Sequence, residues 1–253
     1  MRTTLAPLVV LVALAAPASA GAARPPVALI ASPSHVALRG SARAPVTVTN
    51  SGAAPVVVDV ARAGFALDLR GRPHPVSRRL SWLAARPRRL TLAPGATARL
   101  TVASRVPPHA QPGDHSELLL LTTRPPTRRG LPVRLRLGVV VVVRAPGRVV
   151  RRVSVLRLRV RRAGRARVLG LLLANQGTVT ETVGGSCAVL WLHRSGRILA
   201  RLAAPERRIL PHTRGLVELV YRGRLRGRLR AIPPPPQRPG CPRIHSRDLA
   251  LNL

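Results

Sequence analysis

The sequence predicts an all-β fold built as two small β-sandwiches in tandem. Three observations carry this: short alternating apolar runs, turn dipeptides at regular intervals, and a landmark that occurs twice. Residues 90–123 read LTLAPGATARLTVASRVPPHAQPGDHSELLLLTT, alternately strand and turn. Leu100 and Val102 sit two apart between polar neighbours, the period of a half-buried strand. In Pro94-Gly95 and Pro112-Gly113 the proline presets φ and the glycine accepts positive φ, which is turn chemistry. Short strands with turns roughly every 8–12 residues form the pattern of an immunoglobulin-like sandwich.

In order, the first domain (residues 27–144) is expected to carry strands at 27–31, 36–38, 45–50, 56–61, 66–69, 90–92, 98–103, 117–122 and 133–143. Residues 70–89, with three prolines, read as irregular, and Trp82 as a plug for the core. Ala145-Pro146-Gly147 is a short, stiff linker to the second domain, residues 148–253. There LLLANQG at 171–177 matches VTVTNSG at 46–52, an apolar strand followed by Asn-x-Gly. Asn and Gly both tolerate the left-handed region, so the motif suits a tight turn at a strand end. RILPH at 208–212 echoes LTLAPG at 90–95, and each precedes a strand, residues 215–221 in the second domain. Pro233–Pro236 must be extended, and residues 243–253 read as a final strand.

The N-terminus reads as an export signal: Arg2, an apolar run from Leu5 to Ala16, then the small triplet Ala18-Ser19-Ala20. The run is shorter than the roughly 20 residues of a membrane span, and no later run reaches that length. No transmembrane segment is therefore expected in the mature chain, and no cysteine follows the cleavage site to take a lipid. The expected location is extracytoplasmic, secreted or held non-covalently at the cell wall. Cys187 and Cys241 fit an exported chain with one disulfide, which would pin the final strand.

The charge is extreme, 43 basic residues against 8 acidic ones for a net +35, and every basic residue is arginine. GC-rich coding accounts for arginine in place of lysine but not for the missing acids. A field of this size attracts polyanions. The most pointed local feature is YRGRLRGRLRA at 221–231, where Arg222, Arg224, Arg226, Arg228 and Arg230 occupy alternate positions. On one continuous strand they would form a comb on one face. Arg157, Arg159 and Arg161 repeat the layout, as do Arg134 and Arg136. The first eight of these are the expected polyanion-binding residues.

Catalysis is not expected. The eight acids are spread thinly, and Asp114-His115-Ser116 is the one acid–histidine neighbour pair, without a nucleophile elbow. Asp114 reads as a turn residue at the Pro-Gly corner. The remaining histidines are isolated, so neither metal nor cofactor is expected. Specific nucleic-acid binding is not expected either, because base-stacking needs aromatics and the chain has only Phe65, Trp82, Trp191 and Tyr221.

VTVTNSG, LTLAPG, VPPHAQPGDH and RLRLGVVVVV together resemble the immunoglobulin-like modules of bacterial surface proteins, most closely the WxL-interacting family of Gram-positive surface proteins. That resemblance implies peptidoglycan or an anionic wall polymer as partner, and another surface protein as a second one. The chain lacks the membrane helix and basic tail usual in that family. A second resemblance, to the two-domain pilus chaperones, implies strand donation to a subunit. Val139–Val143 would be the lent strand, although lending calls for alternation rather than consecutive valines.

The cleavage site yields the first testable outcome. Protein recovered outside the cytoplasm should begin at Gly21 by intact mass; retention of Met1 would remove the export assignment.

Overall fold

The computed structural model describes residues 25–252 except 78, 125–133, 188, 224–226, 236–240 and 247–248. The expected export signal at residues 1–20 lies outside the described residues, as do Arg224 and Arg226. The described residues are all strand and loop, arranged as two immunoglobulin-like sandwiches.

The first sandwich contains β1 (Leu29–Ser32), β2 (His35–Arg39), β3 (Arg43–Asn50), β4 (Val56–Leu67), β5 (Pro73–Val76), β6 (Leu83–Arg86), β7 (Arg89–Leu92), β8 (Thr97–Ser104), β9 (Gly113–Thr123) and β10 (Arg136–Ala145). One sheet runs β1-β3-β8-β6. The other runs β2-β10-β9-β4-β5, with β7 also paired to β4. Inward residues recur every second position, as a two-faced strand requires. Val46, Val48, Leu100 and Val102 from one sheet meet Val58, Leu119, Leu121, Val139 and Val141 from the other.

The second sandwich contains β11 (Val153–Ala163), β12 (Ala166–Asn175), β13 (Glu181–Val183), β14 (Leu190–Arg194), β15 (Arg197–Leu202), β16 (Arg207–Ile209), β17 (Arg214–Tyr221), β18 (Arg228–Ile232), β19 (Ile244–His245) and β20 (Leu249–Asn252). Its sheets run β17-β12-β11-β19 and β15-β14-β18-β20, with β13 and β16 pairing separately. Leu169, Leu171 and Leu173 on β12 face Leu190 and Leu192 on β14 across the core.

Four expected elements differ. The strands expected at 56–61 and 66–69 are one continuous strand, β4. Residues 70–89 are not wholly irregular: the chain forms β5 and β6 there, both at sheet ends, and Trp82 stands edge-on to His115 at 5.3 Å. The final strand is two, because β19 lies parallel to β11 while β20 joins β18 in the opposite sheet. The run Tyr221–Ala231 is also two strands. β17 ends at Tyr221 and β18 starts at Arg228 in the facing sheet, with Tyr221 and Leu229 both buried in the core between them. The Cys187–Cys241 disulfide is formed.

The repeated Asn-x-Gly has a different physical basis from a left-handed turn. Asn50 is fully buried; its amide donates to the carbonyls of Ala54 (2.8 Å), Leu92 and Ala93, and its Oδ1 accepts from Gly52 N at 3.0 Å. Asn175 does the same in the second sandwich, donating to Val179 O at 2.7 Å and Ile209 O at 2.9 Å and accepting from Gly177 N at 2.9 Å. Neither glycine has positive φ. They are required because a Cβ at Gly52 would lie 2.7 Å from Ala28 N, and one at Gly177 would strike the Val150 carbonyl. The second landmark matches equally closely. Gly95 and His212 take the same left-handed position, at φ 73° and 58°.

Each asparagine closes one sandwich, so its loss should be felt there alone. Asn50→Ala or Asn175→Ala strands several buried carbonyls and should cost about 3 kcal/mol, read by urea unfolding. His212→Gly should add about 0.5–1 kcal/mol by removing a side chain from the left-handed position.

Candidate functional site

The sandwiches meet at the start of β9. Asp114 N donates to Thr178 O at 2.7 Å, and Thr180 N donates to Asp114 Oδ2 at 2.8 Å. Arg144, opposite Asp114 on β10, donates Nε to Oδ1 at 2.6 Å and its second nitrogen to Oδ2 at 2.9 Å. Asp114 is therefore an interdomain clamp rather than a turn cap. Gly113 permits the approach: its φ is +126°, and a Cβ there would strike Thr178. Burial alone pushes the Asp114 carboxyl up, but the hydrogen bonds from Arg144 and Thr180 outweigh it and hold the group below the usual carboxylate range. Glu181 lies beside this clamp, buried and paired with Arg151 at 3.1 Å. Burial raises its carboxyl, and the charge of Asp114 adds to the rise, while Arg151 and Arg144 oppose it.

Beyond the clamp the domains bound a cleft of about 520 Å³. His35, Val140 and Val142 line it from the first domain, Arg207, Arg208 and Leu210 from the second. Burial lowers the His35 pKa, and the positive charge of Arg208 lowers it further. The cleft carries Arg70, Arg207 and Arg208 beside one acid, Glu206, on a mostly apolar lining.

β10 forms part of the cleft's first-domain wall, beside Phe65 and Leu67 of β4, and continues past it. It pairs with β9 along its whole length, but with β2 only over residues 140–144. Thr123 N donates to Leu135 O, while Val140 N donates away from β9 to Ser34 O. In an antiparallel ladder these directions alternate. Arg136 and Gly138 thus turn their backbone groups to an edge with no partner strand among the described residues. Leu135 and Leu137 on this stretch are half-buried, while Arg134 and Arg136 are exposed. In sequence the alternation runs Leu131, Val133, Leu135, Leu137; the first two lie outside the described residues.

The arginines expected to act together are separated. Arg222 follows β17, Arg228 and Arg230 lie exposed on β18 in the facing sheet, and Arg157, Arg159 and Arg161 lie exposed on β11. Arg161 pairs with Glu218 at 3.2 Å. No group of His, Cys, Asp and Glu among the described residues could hold a metal, and no helix there is long and apolar enough to cross a membrane.

No family model matches the chain, and no curated protein matches it in sequence. Solved structures do resemble it. A chain from a chaperone–tip adhesin complex vital for synergistic activation of CFA/I fimbriae biogenesis aligns at TM-score 0.52 and 10% identity, covering 89% of this chain and 98% of that one. The class 5 fimbriae chaperone CfaA gives TM-score 0.52 at 11% identity, with the same coverage. The structure of the Salmonella enterica SafA pilin with the SafB chaperone gives 0.46 at 12% identity, covering 89% and 96%.

These findings correct the first resemblance. The structures similar in fold are a fimbriae chaperone and a chain of a chaperone–tip adhesin complex, not WxL-interacting surface modules, and neither is described with wall polymer. The physical reason on this chain is that β17 ends at Tyr221 and β18 begins at Arg228 in the opposed sheet, which parts Arg222 from Arg228 and Arg230. Binding to peptidoglycan or an anionic wall polymer is thus unsupported as its function.

The clamp has a signed pH dependence. Because the Asp114 carboxyl is depressed in the folded chain, its stabilisation is complete above about pH 4, the unfolded value, and disappears as pH falls through the lower folded one. Asp114→Asn should cost about 2–4 kcal/mol near neutral pH, less than a fully buried pair because Arg144 is partly exposed. The parent–variant difference in urea unfolding should shrink below about pH 4. Glu181 acts in the opposite sense: raised, it costs stability when ionised, and protonation relieves that cost.

Proposed function

We propose that this chain is an extracytoplasmic, non-enzymatic assembly chaperone of the pilus type, holding a partner subunit by lending it the open edge of β10. The observation that carries this reading is the edge beside Arg136 and Gly138, paired on one side only. A strand edge offers a partner main-chain hydrogen bonds, and alternate apolar side chains give it a register. The lending segment is not the valine run Val139–Val143, whose alternate members are already committed to the core. It is the stretch before it, where Leu131, Val133, Leu135 and Leu137 alternate with Pro132, Arg134 and Arg136. The fold it shares with the two fimbrial proteins supports the reading. So does the adjacent cleft, where Arg207 and Arg208 suit an acidic group of the same partner.

Affinity purification of the mature chain from the extracytoplasmic fraction tests this. A single exported subunit should remain bound in high salt and leave only on denaturation. Arg136→Pro removes a donor from the open edge without removing a bond to β9, a position where an edge strand tolerates proline. It should lower subunit retention at least about tenfold while circular dichroism stays that of the parent. Retention that salt alone reverses, or that Arg136→Pro leaves intact, would sink the proposal.

A further inference from the structure

The second sandwich has an open edge of its own. Among the described residues β17 pairs only with β12. Asn175 N donates to Thr213 O, so odd-numbered residues of β17 turn to β12 and even-numbered ones turn outward. One outward group is already occupied by a strand-like contact: Leu216 N donates to Leu69 O of the first domain at 2.7 Å. Beyond it, the backbone groups of Glu218 and Val220 face no strand among the described residues. The edge from Leu216 to Val220 is about 13 Å long, room for a short strand.

Two grooves follow this edge. One, of about 450 Å³, runs over the outer sheet face and is lined by Leu69, Val168, Leu172 and Leu216, with Arg157, Arg159 and Arg161 along its far side. The other, of about 320 Å³, lies between β17 and the chain at Ala204-Pro205, with Arg70 and Arg207 beside it. They share Arg161, Leu216 and Glu218, so they form one channel around the edge. Leu69, which lines the first groove, is 50% exposed, and Val220, further along β17, is 51% exposed.

We propose that the β17 edge is a second docking site, which takes an extended acidic segment of a partner polypeptide. Apolar side chains of that segment would continue the surface of Leu69, Leu216 and Val220. Its acidic side chains would alternate to the opposite face, toward Arg70 and Arg207. Charge selects the occupant. A second copy of this chain is excluded by its own +35 charge and by its acids, five of which already pair internally. A purely anionic surface would match the arginines but leave the apolar row and the backbone edge unused. The site lies on a different strand from the β10 edge, although Arg70 and Arg207 also line the interdomain cleft.

The test uses the full mature chain and a capped peptide of about eight residues alternating glutamate and valine. Amide hydrogen exchange should slow at Glu218 and Val220 on adding the peptide. The same peptide N-methylated at alternate residues should bind at least about tenfold more weakly, and so should the parent peptide to Val220→Pro. If that variant does not fold, the N-methylated peptide decides alone. Protection at Arg136 and Gly138 instead would assign the peptide to β10 and overturn the proposal. Equal binding by polyglutamate or by phosphatidylglycerol vesicles would overturn it too, as charge attraction alone.

Discussion

Asp114 is the contact on which the two-domain arrangement depends. Its carboxylate takes both forks of Arg144 from the neighbouring strand and the backbone N–H of Thr180 from the other sandwich, while its own N–H reaches Thr178. A buried carboxylate is costly unless every oxygen is satisfied, and here both are. Because Arg144 sits on β10, the side chain that secures the interface also fixes the strand that walls the cleft. The Leu216–Leu69 hydrogen bond adds a second point of attachment on the far side. With two such points the cleft is a fixed feature of the fold, not a gap between independently placed modules.

Within each sandwich the corresponding constraint is the buried asparagine. Asn50 and Asn175 occupy equivalent places at the ends of β3 and β12 and gather carbonyls from segments distant in sequence. A carbonyl buried without a partner costs about 1–3 kcal/mol, so a side chain that satisfies two or three at once closes the end of a sheet. The two domains use the same residue for the same purpose, which gives physical content to their repetition.

Much of this architecture is legible in the sequence. Alternation at Leu100 and Val102, the Pro-Gly turns and the doubled Asn-x-Gly lead to an all-β chain of two sandwiches, and the cysteines to their disulfide. What is not legible depends on contacts between distant segments. β5 and β6 are four residues each at sheet ends, too short to display a period. Arg222 and Arg228 do not share a face because β17 ends at Tyr221 and β18 starts at Arg228 in the opposed sheet, and alternation alone does not reveal which sheet a residue joins. Asp114 looks like a turn residue because its partners Arg144 and Thr180 lie 30 and 66 positions away. The alternation of Leu135 and Leu137 with arginine beside the open part of β10 is readable in the sequence, but the conspicuous valines that follow draw attention to the part that belongs to the core.

The charge acquires a physical reading from where the acids are. Asp59, Asp114, Glu117, Glu181 and Glu218 each pair with an arginine, and Asp68 accepts the backbone N–H groups of its own turn. Most of the scarce acids are thus consumed in holding the fold, and the excess positive charge faces outward. Both open edges carry part of it, Arg134 and Arg136 at β10, Arg70 and Arg207 beside β17. An unpaired edge invites another copy to pair with it, and charge at the edge is a common defence. Arginine repels a like-charged copy while attracting an acidic partner, so one feature gives protection and selectivity together.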